Sequence, residues 1–163
     1  MGSATVEDDV LFTIAATAED FEDGRLLFRE YAASLGFDLC FQNFAEELLT
    51  LDKQYNKPDG ALILARYKNT AVGCVAVRKL EEGIAELKRL YVQPGYRNLK
   101  LGKKLLEQSL RVAQQLGYKL IRLDSAPGQE QAQHLYRRYG FYEIPSYRHN
   151  PVPGVVYMEY RLK

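Results

Sequence analysis

A mixed α/β sheet of about seven strands with helices on its faces is the fold this sequence predicts. Three observations predict it. Short apolar runs of strand length recur along the chain, between stretches with helical periodicity. Turn residues, chiefly glycine and proline, close most of these runs, so the connections are short. At 163 residues, with 47% apolar and 26% charged residues, the chain can bury one core without disulfides or metal.

The elements follow in order. Residues 10–15 are a short apolar run that reads as the first strand. Thr17 is a natural N-cap, with Glu19 and Asp20 complementing the positive end of a helix. Phe21, Phe28, Tyr31, Ala32 and Leu35 share one face of that helix, and Gly36 is placed to cap its C-terminus. A second helix is expected over 43–51, followed by a Pro/Gly turn at 54–60. Three strand-like runs come next, at 61–66, 72–79 and 84–92. The turns at Lys68-Asn69 and Glu81-Glu82-Gly83 are short enough to make these an antiparallel meander. Residues 101–116 are strongly amphipathic, with Leu101, Leu105, Leu106, Leu110, Ala113 and Leu116 inward and Gly117 just beyond. A fifth strand at 120–123, a helix at 130–139 closed by Gly140, and strands at 141–144 and 155–162 complete the series. No repeat, low-complexity tract or linker interrupts it, so a single domain over 1–163 is expected, with residues 1–9 flexible.

Net charge is +1, so no overall field favours nucleic acid or an anionic membrane. No apolar run approaches transmembrane length. The acidic start of the chain lacks a signal-peptide core, and Val6 breaks a myristoylation pattern. Cys40 and Cys74 sit in apolar surroundings and read as buried reduced thiols, with no Cys/His spacing for a metal. A cytoplasmic protein without metal, nucleic-acid partner or membrane anchor is the expectation.

Two segments carry a specific resemblance. Residues 90–106, Leu-Tyr-Val-Gln-Pro-Gly-Tyr-Arg-Asn-Leu-Lys-Leu-Gly-Lys-Lys-Leu-Leu, and residues 132–141, Ala-Gln-His-Leu-Tyr-Arg-Arg-Tyr-Gly-Phe, resemble the cofactor turn and the Leu-Tyr…Gly-Phe helix of the GNAT acetyltransferase superfamily. Their order and separation match, and so does the element order from Val10 to Leu162. The resemblance implies a GNAT-like fold and an N-acetyltransferase that uses acetyl-CoA as acetyl donor, with direct attack in a ternary complex. It implies that the turn Arg97, Asn98, Leu99, Lys100, Leu101, Gly102 and Lys103 holds the pyrophosphate at a helix N-terminus, where free amides and a positive dipole end attract an anion. The chain departs from the family at Lys100, where glycine is usual. If that position needs positive φ, lysine costs on the order of 1 kcal/mol.

Further roles follow from the resemblance alone. Tyr136 would be the general acid for the departing thiolate. Glu86 would be the base that neutralises the amine, with a water chain as the alternative. Read as an ordinary strand residue, Glu86 would instead pair across the meander with Arg78 or Lys79. An amide near Leu90, Tyr91 and Val92 would hold the oxyanion at a β-bulge. Ser125 and Gln129 would line the CoA arm. His134 falls at a position the family does not use and His149 in a loop, and both are read as surface or capping residues.

The acceptor side would be built from residues 31–51 and the stretch 147–157. Tyr147, Arg148 and Asn150 can project from the latter, and Arg89 can join them. An arginine pair suits a carboxylate, which points to an amino-acid-like amine. The expected partner is therefore a small-molecule amine, and a homodimer is compatible with the family. Two other readings stand beside this one: a protein lysine or N-terminal acetyltransferase, which predicts an open groove, and a CoA-binding module without turnover.

Overall fold

The computed structural model describes residues 9–36, 39 and 43–163. The expectations for residues 1–8 and for Cys40 fall outside the described residues. The elements are β1 (Val10–Ile14), α1 (Ala18–Ser34), α2 (Phe44–Leu49), α3 (Leu51–Gln54), β2 (Ala61–Tyr67), β3 (Thr70–Glu81), β4 (Ile84–Val92), α4 (Leu101–Gln115), β5 (Leu120–Ser125), α5 (Glu130–Tyr139), β6 (Tyr142–Ile144) and β7 (Val156–Arg161), with a 3-10 turn at Pro94–Leu99 between β4 and α4.

The seven strands form one sheet in the order β1-β2-β3-β4-β5-β7-β6. Every neighbouring pair is antiparallel except β4 with β5. The meander β2–β4 forms as the turn chemistry demands. Lys68 and Asn69 both adopt positive φ, at 49° and 68°, as a two-residue hairpin turn with the right twist requires.

Alternation along the strands divides the core into two layers. Ala61, Ile63 and Ala65 of β2 face α4, together with Val75 and Val77 of β3. Leu62, Leu64, Cys74 and Ala76 face the opposite side, where α1 lays Phe21, Leu27 and Phe28. Thus α1 and α4 cover opposite faces of the same strands. Thr17 caps α1 through a reciprocal capping box with Asp20. The C-cap of α1 is Leu35, not Gly36, because Leu35 leaves the helix in an extended conformation (φ −80°, ψ 150°) that needs no glycine. Gly117 and Gly140 do adopt positive φ beyond α4 and α5, and Tyr118 and Phe141 donate back to Ala113 and Tyr136, as a left-handed helix stop requires. Among the described residues, no helix is long and apolar enough to cross a membrane.

Candidate active site

The site begins with an irregularity in β4. Cys74 pairs with Tyr91 but Ala76 pairs with Lys88, so β3 spends one residue where β4 spends two, Arg89 and Leu90. This is a β-bulge. Arg89 takes φ 60°, and its carbonyl accepts a hydrogen bond from the buried Cys74 thiol at 3.3 Å. The extra residue inverts the alternation. Before the bulge Ala85 and Leu87 face α4; beyond it Val92 does, while Tyr91 turns toward α1.

The second irregularity lies beside the first. β4 and β5 pair only at Ile84–Leu120, Ala85–Ile121 and Glu86–Arg122. β5 then continues to Ser125 alongside β7, so β4 and β5 part just where β4 bulges. A cleft opens between them.

On the α4 side the cleft widens into a cavity of about 770 Å³, lined by Leu90, Tyr91 and Val92 from β4, by Arg97, Lys100, Gly102 and Lys103 from the turn, and by one face of α5. Lys100 is the N-cap of α4 and sits in the left-handed region (φ 58°, ψ 29°), with no side chain capping the first amides. Those amides and the surrounding cations make a site for an anion. Lys100 is left-handed, so the strain expected of a lysine at positive φ is present. Gly102 has ordinary φ, and a Cβ added to it would meet only Leu135, at 3.9 Å. The fold leaves room for a side chain here, so the open surface at Gly102 serves the cavity. Asn98 and Leu99 carry the turn without lining the cavity, and Leu101 is fully buried in the core beneath it.

At the neck of the cleft lies a second cavity of about 30 Å³, bounded by Tyr31, Lys88, Arg89, Leu90, Asp124, Gln129 and Tyr136 among others. Tyr136 is buried, and that burial, with Tyr31 and the charge of Asp124 adding to it, pushes its phenol well above the usual tyrosine range. Burial, with the neighbouring Arg89 charge, pulls the Lys88 ammonium down to about 7. Gln129 is engaged within the protein: it accepts from the Ala126 amide at 3.0 Å and from the Ser125 hydroxyl at 3.2 Å, and donates to the Tyr31 hydroxyl at 3.2 Å.

The remaining wall is ionic. Glu86 is fully buried. Its Oε1 accepts from Arg78 Nε at 3.0 Å and Nη2 at 2.9 Å; its Oε2 accepts from the Tyr147 hydroxyl at 2.8 Å and from Arg148. The cross-strand pairing with Arg78 expected of an ordinary strand residue is therefore present. Arg89 is held by Glu47 through two bonds, Nη2 to Oε1 at 2.7 Å and Nε to Oε2 at 3.0 Å. Burial alone would raise the Glu47 carboxyl; the bonds and charge of Arg89 bring it below the ordinary range. So the two arginines expected to face one incoming carboxylate each hold an internal one. Arg148 Nε is buried and donates to no described residue. Asn150 accepts from the Val152 amide at 2.9 Å and stabilises its own loop. That loop, 145–155, lies over the sheet face: Tyr147 packs edge-on against Tyr157 at 5.2 Å, and the Tyr157 hydroxyl donates to the Arg148 carbonyl at 3.2 Å. His134 and His149 are exposed.

Sequence reasoning missed part of the large cavity, namely Gln131, Leu135, Arg138 and Tyr139 on α5 and Tyr160 on β7. The signal was available. Residues 131, 135, 138 and 139 follow helical spacing and share the face that carries Ala132.

A sequence model described as the acetyltransferase (GNAT) family matches residues 26–141. An uncharacterized N-acetyltransferase of Schizosaccharomyces pombe is 41% identical over 142 residues, covering 86% of this chain and 87% of that one. A GNAT-family acetyltransferase from Staphylococcus aureus superposes with a TM-score of 0.77 at 23% identity, over 94% of this chain and 99% of that chain. The PaiA N-acetyltransferase of Thermoplasma acidophilum, solved in complex with coenzyme A, gives 0.68 at 19% identity, over 93% and 99%.

Proposed function

The chain belongs to the acetyltransferase (GNAT) family, and from that premise we propose that it moves an acetyl group from acetyl-CoA to the primary amine of a small molecule or amino acid, by direct attack in a ternary complex. The observation that carries this reading is the adjacency of two cavities: a cationic, amide-rich mouth of about 770 Å³ and the small cavity at Tyr136 share Leu90 of the β4 bulge and Ala132 of α5. A pyrophosphate fits the mouth, where Arg97, Lys100 and Lys103 surround the α4 N-terminus. The pantetheine arm would run along Leu90, Tyr91 and Val92, with Gln129 at the opposite wall and the buried Ser125 behind it, donating to its side chain. Asn98, Leu99 and Leu101 supply the backbone that shapes the turn.

An amide of the bulged strand would stabilise the oxyanion. Tyr136 is then the proton donor to the thiolate. Its raised phenol keeps its proton through neutral pH, and a strong hydrogen bond to the developing sulfur charge supplies the stabilisation. Glu86 has every lone pair engaged, and its part is to fasten the loop 145–155 through Tyr147 and Arg148. A fastened loop encloses the acceptor side, which supports a small acceptor over a polypeptide segment. Arg148 Nε, a buried donor without a described partner, would receive the carboxylate of an amino-acid-like acceptor. A cytoplasmic setting completes the reading and suits the buried reduced thiol of Cys74.

The test is thermal melting with acetyl-CoA, followed by CoA-thiol release across a panel of amines and amino acids. Ligand at about 100 times its Kd stabilises by about 2.7 kcal/mol, several degrees for a domain of this size. No shift at millimolar acetyl-CoA would sink the proposal.

A further inference from the structure

Two carboxylates stand near the neck of the cleft, and they are in opposite states. Glu86 has both oxygens saturated by Arg78, Tyr147 and Arg148. Asp124 lies on β5 two residues past the last pair that joins β5 to β4. Its Oδ2 is buried and accepts a hydrogen bond from no described residue. A buried acceptor of this kind is costly unless something arrives to satisfy it. Asp124 also lines the 30 Å³ cavity that Tyr136 and Leu90 of the bulge share. That volume suits a group the size of one or two waters, which is the size of a primary ammonium head.

We propose that Asp124, and not Glu86, binds the acceptor's ammonium and takes its proton, so that the acceptor is a primary amine entering this small cavity as a cation. The assignment rests on the acetyl-transfer reading above. Around Asp124 stand Lys88 from β4, Tyr136 from α5, Tyr147 from the loop 145–155 and Tyr157, its register neighbour on β7; Tyr31 and Arg89 complete the cavity wall. Burial and the Arg89 charge pull the Lys88 ammonium down to about 7 while the charge of Asp124 opposes that shift, so Lys88 is a weakened cation beside a carboxylate oxygen that accepts from no described residue. The negative charge of Asp124, after burial, helps push the Tyr147 phenol up.

The proton and electron count closes. The acceptor arrives as R–NH3⁺, and Asp124 takes one proton and passes it to solvent. The freed nitrogen pair forms the C–N bond to the acetyl carbon, and the carbonyl π pair moves onto oxygen. Collapse of that oxyanion breaks the C–S bond. Sulfur leaves with its electron pair and takes the Tyr136 proton. The second nitrogen proton, shed to Asp124 as the amide forms, restores Tyr136. The net change is R–NH3⁺ plus acetyl-CoA giving the amide, CoA thiol and one proton.

The experiment compares the wild-type chain with Asp124→Asn, Asp124→Glu and Glu86→Gln, using ethylamine as the probe acceptor and CoA-thiol release from acetyl-CoA as readout, from about pH 6 to about pH 10. Melting with and without acetyl-CoA checks each variant for folding and donor binding. The expected result is that Asp124→Asn keeps the acetyl-CoA shift but loses about 10²–10⁴-fold in kcat/KM for the amine near neutral pH. That deficit should shrink as pH rises toward the amine's own pKa, where free amine no longer needs a base. Asp124→Glu should recover part of the rate. A merely structural role would lower the rate equally at every pH. Asp124→Asn with a wild-type rate and pH profile would overturn the assignment, as would finding the closing deficit in Glu86→Gln instead. Absence of the acetyl-CoA shift in the wild type would overturn the acetyl-transfer reading itself.

Discussion

On the α4 side of the cleft, cations line an open cavity; on the loop side, buried carboxylates are paired with buried or half-buried arginines. Arg97 turns back to the Val92 carbonyl at 2.9 Å, while Lys100 and Lys103 edge the cavity. Across the sheet, Arg89 with Glu47 and Glu86 with Arg78 and Arg148 form saturated pairs. The difference teaches how one fold separates two tasks. The donor side needs shape and positive potential, which helix ends and surface cations supply at little cost. The acceptor side needs charges fixed before the substrate arrives, and fixing them under a low dielectric demands a partner for each one except the group that is to meet the substrate.

The largest effect that would sharpen this contrast is on the ionic side. Glu47→Gln removes the doubly bonded carboxylate from a guanidinium that is only 4% exposed, and should cost up to about 3–5 kcal/mol, on the order of 10 °C in melting. The same pair sets a pH dependence. The Glu47 carboxyl is held below its ordinary value of 4.5, so its stabilisation is complete above that value and is lost as pH falls through the lower, folded-state value. Melting from neutral to acid pH should therefore show a smaller acid loss in Glu47→Gln than in the wild type. Next in size is Tyr136→Phe, expected to reduce turnover about 100-fold or more while the acetyl-CoA melting shift survives; loss of the shift instead would make Tyr136 a packing residue.

On the donor side the effects are smaller, and binding and stability should part company. Gly102→Ala places a methyl where the fold has room, so unliganded melting should hold or rise slightly, whereas acetyl-CoA affinity should fall by about tenfold, roughly 1.4 kcal/mol. Equal losses in both would break the contrast. Smallest is Lys100→Gly, which relieves a left-handed lysine at φ 58°. It should gain at most about 1 kcal/mol, offset in part by the freedom of glycine in the unfolded chain. A salt-dependent loss of acetyl-CoA affinity would show what the ammonium contributes in exchange.

Nearly all the strands and long helices were legible, because alternation and helical spacing are local signals. Arg78 opposite Glu86 was legible too, since a short turn fixes the register of neighbouring strands. The Glu47–Arg89 pair was not, because 42 residues separate the partners and no local pattern joins a short helix to a bulge. The bulge itself came only through resemblance. Arg138 and Tyr139 were passed over because they stand in the unspecified middle of the Leu-Tyr…Gly-Phe segment, although the helix carries its cavity face through them. The role of Asp124 was not legible, because nothing in the sequence distinguishes a saturated carboxylate from one without a partner.

The join between β4 and β5 has a mechanical side. Three residue pairs connect a four-stranded piece, β1 to β4, with the three-stranded piece β5, β7 and β6. Every other neighbour in the sheet except the short β6 is stitched over five or more residues. A molecule seated between β4 and β5 would span that seam. Amides of β5 and β7 should then exchange with deuterated solvent faster than those of β2 and β3 in the unliganded chain, and acetyl-CoA should slow them most, acting as a rivet between two plates.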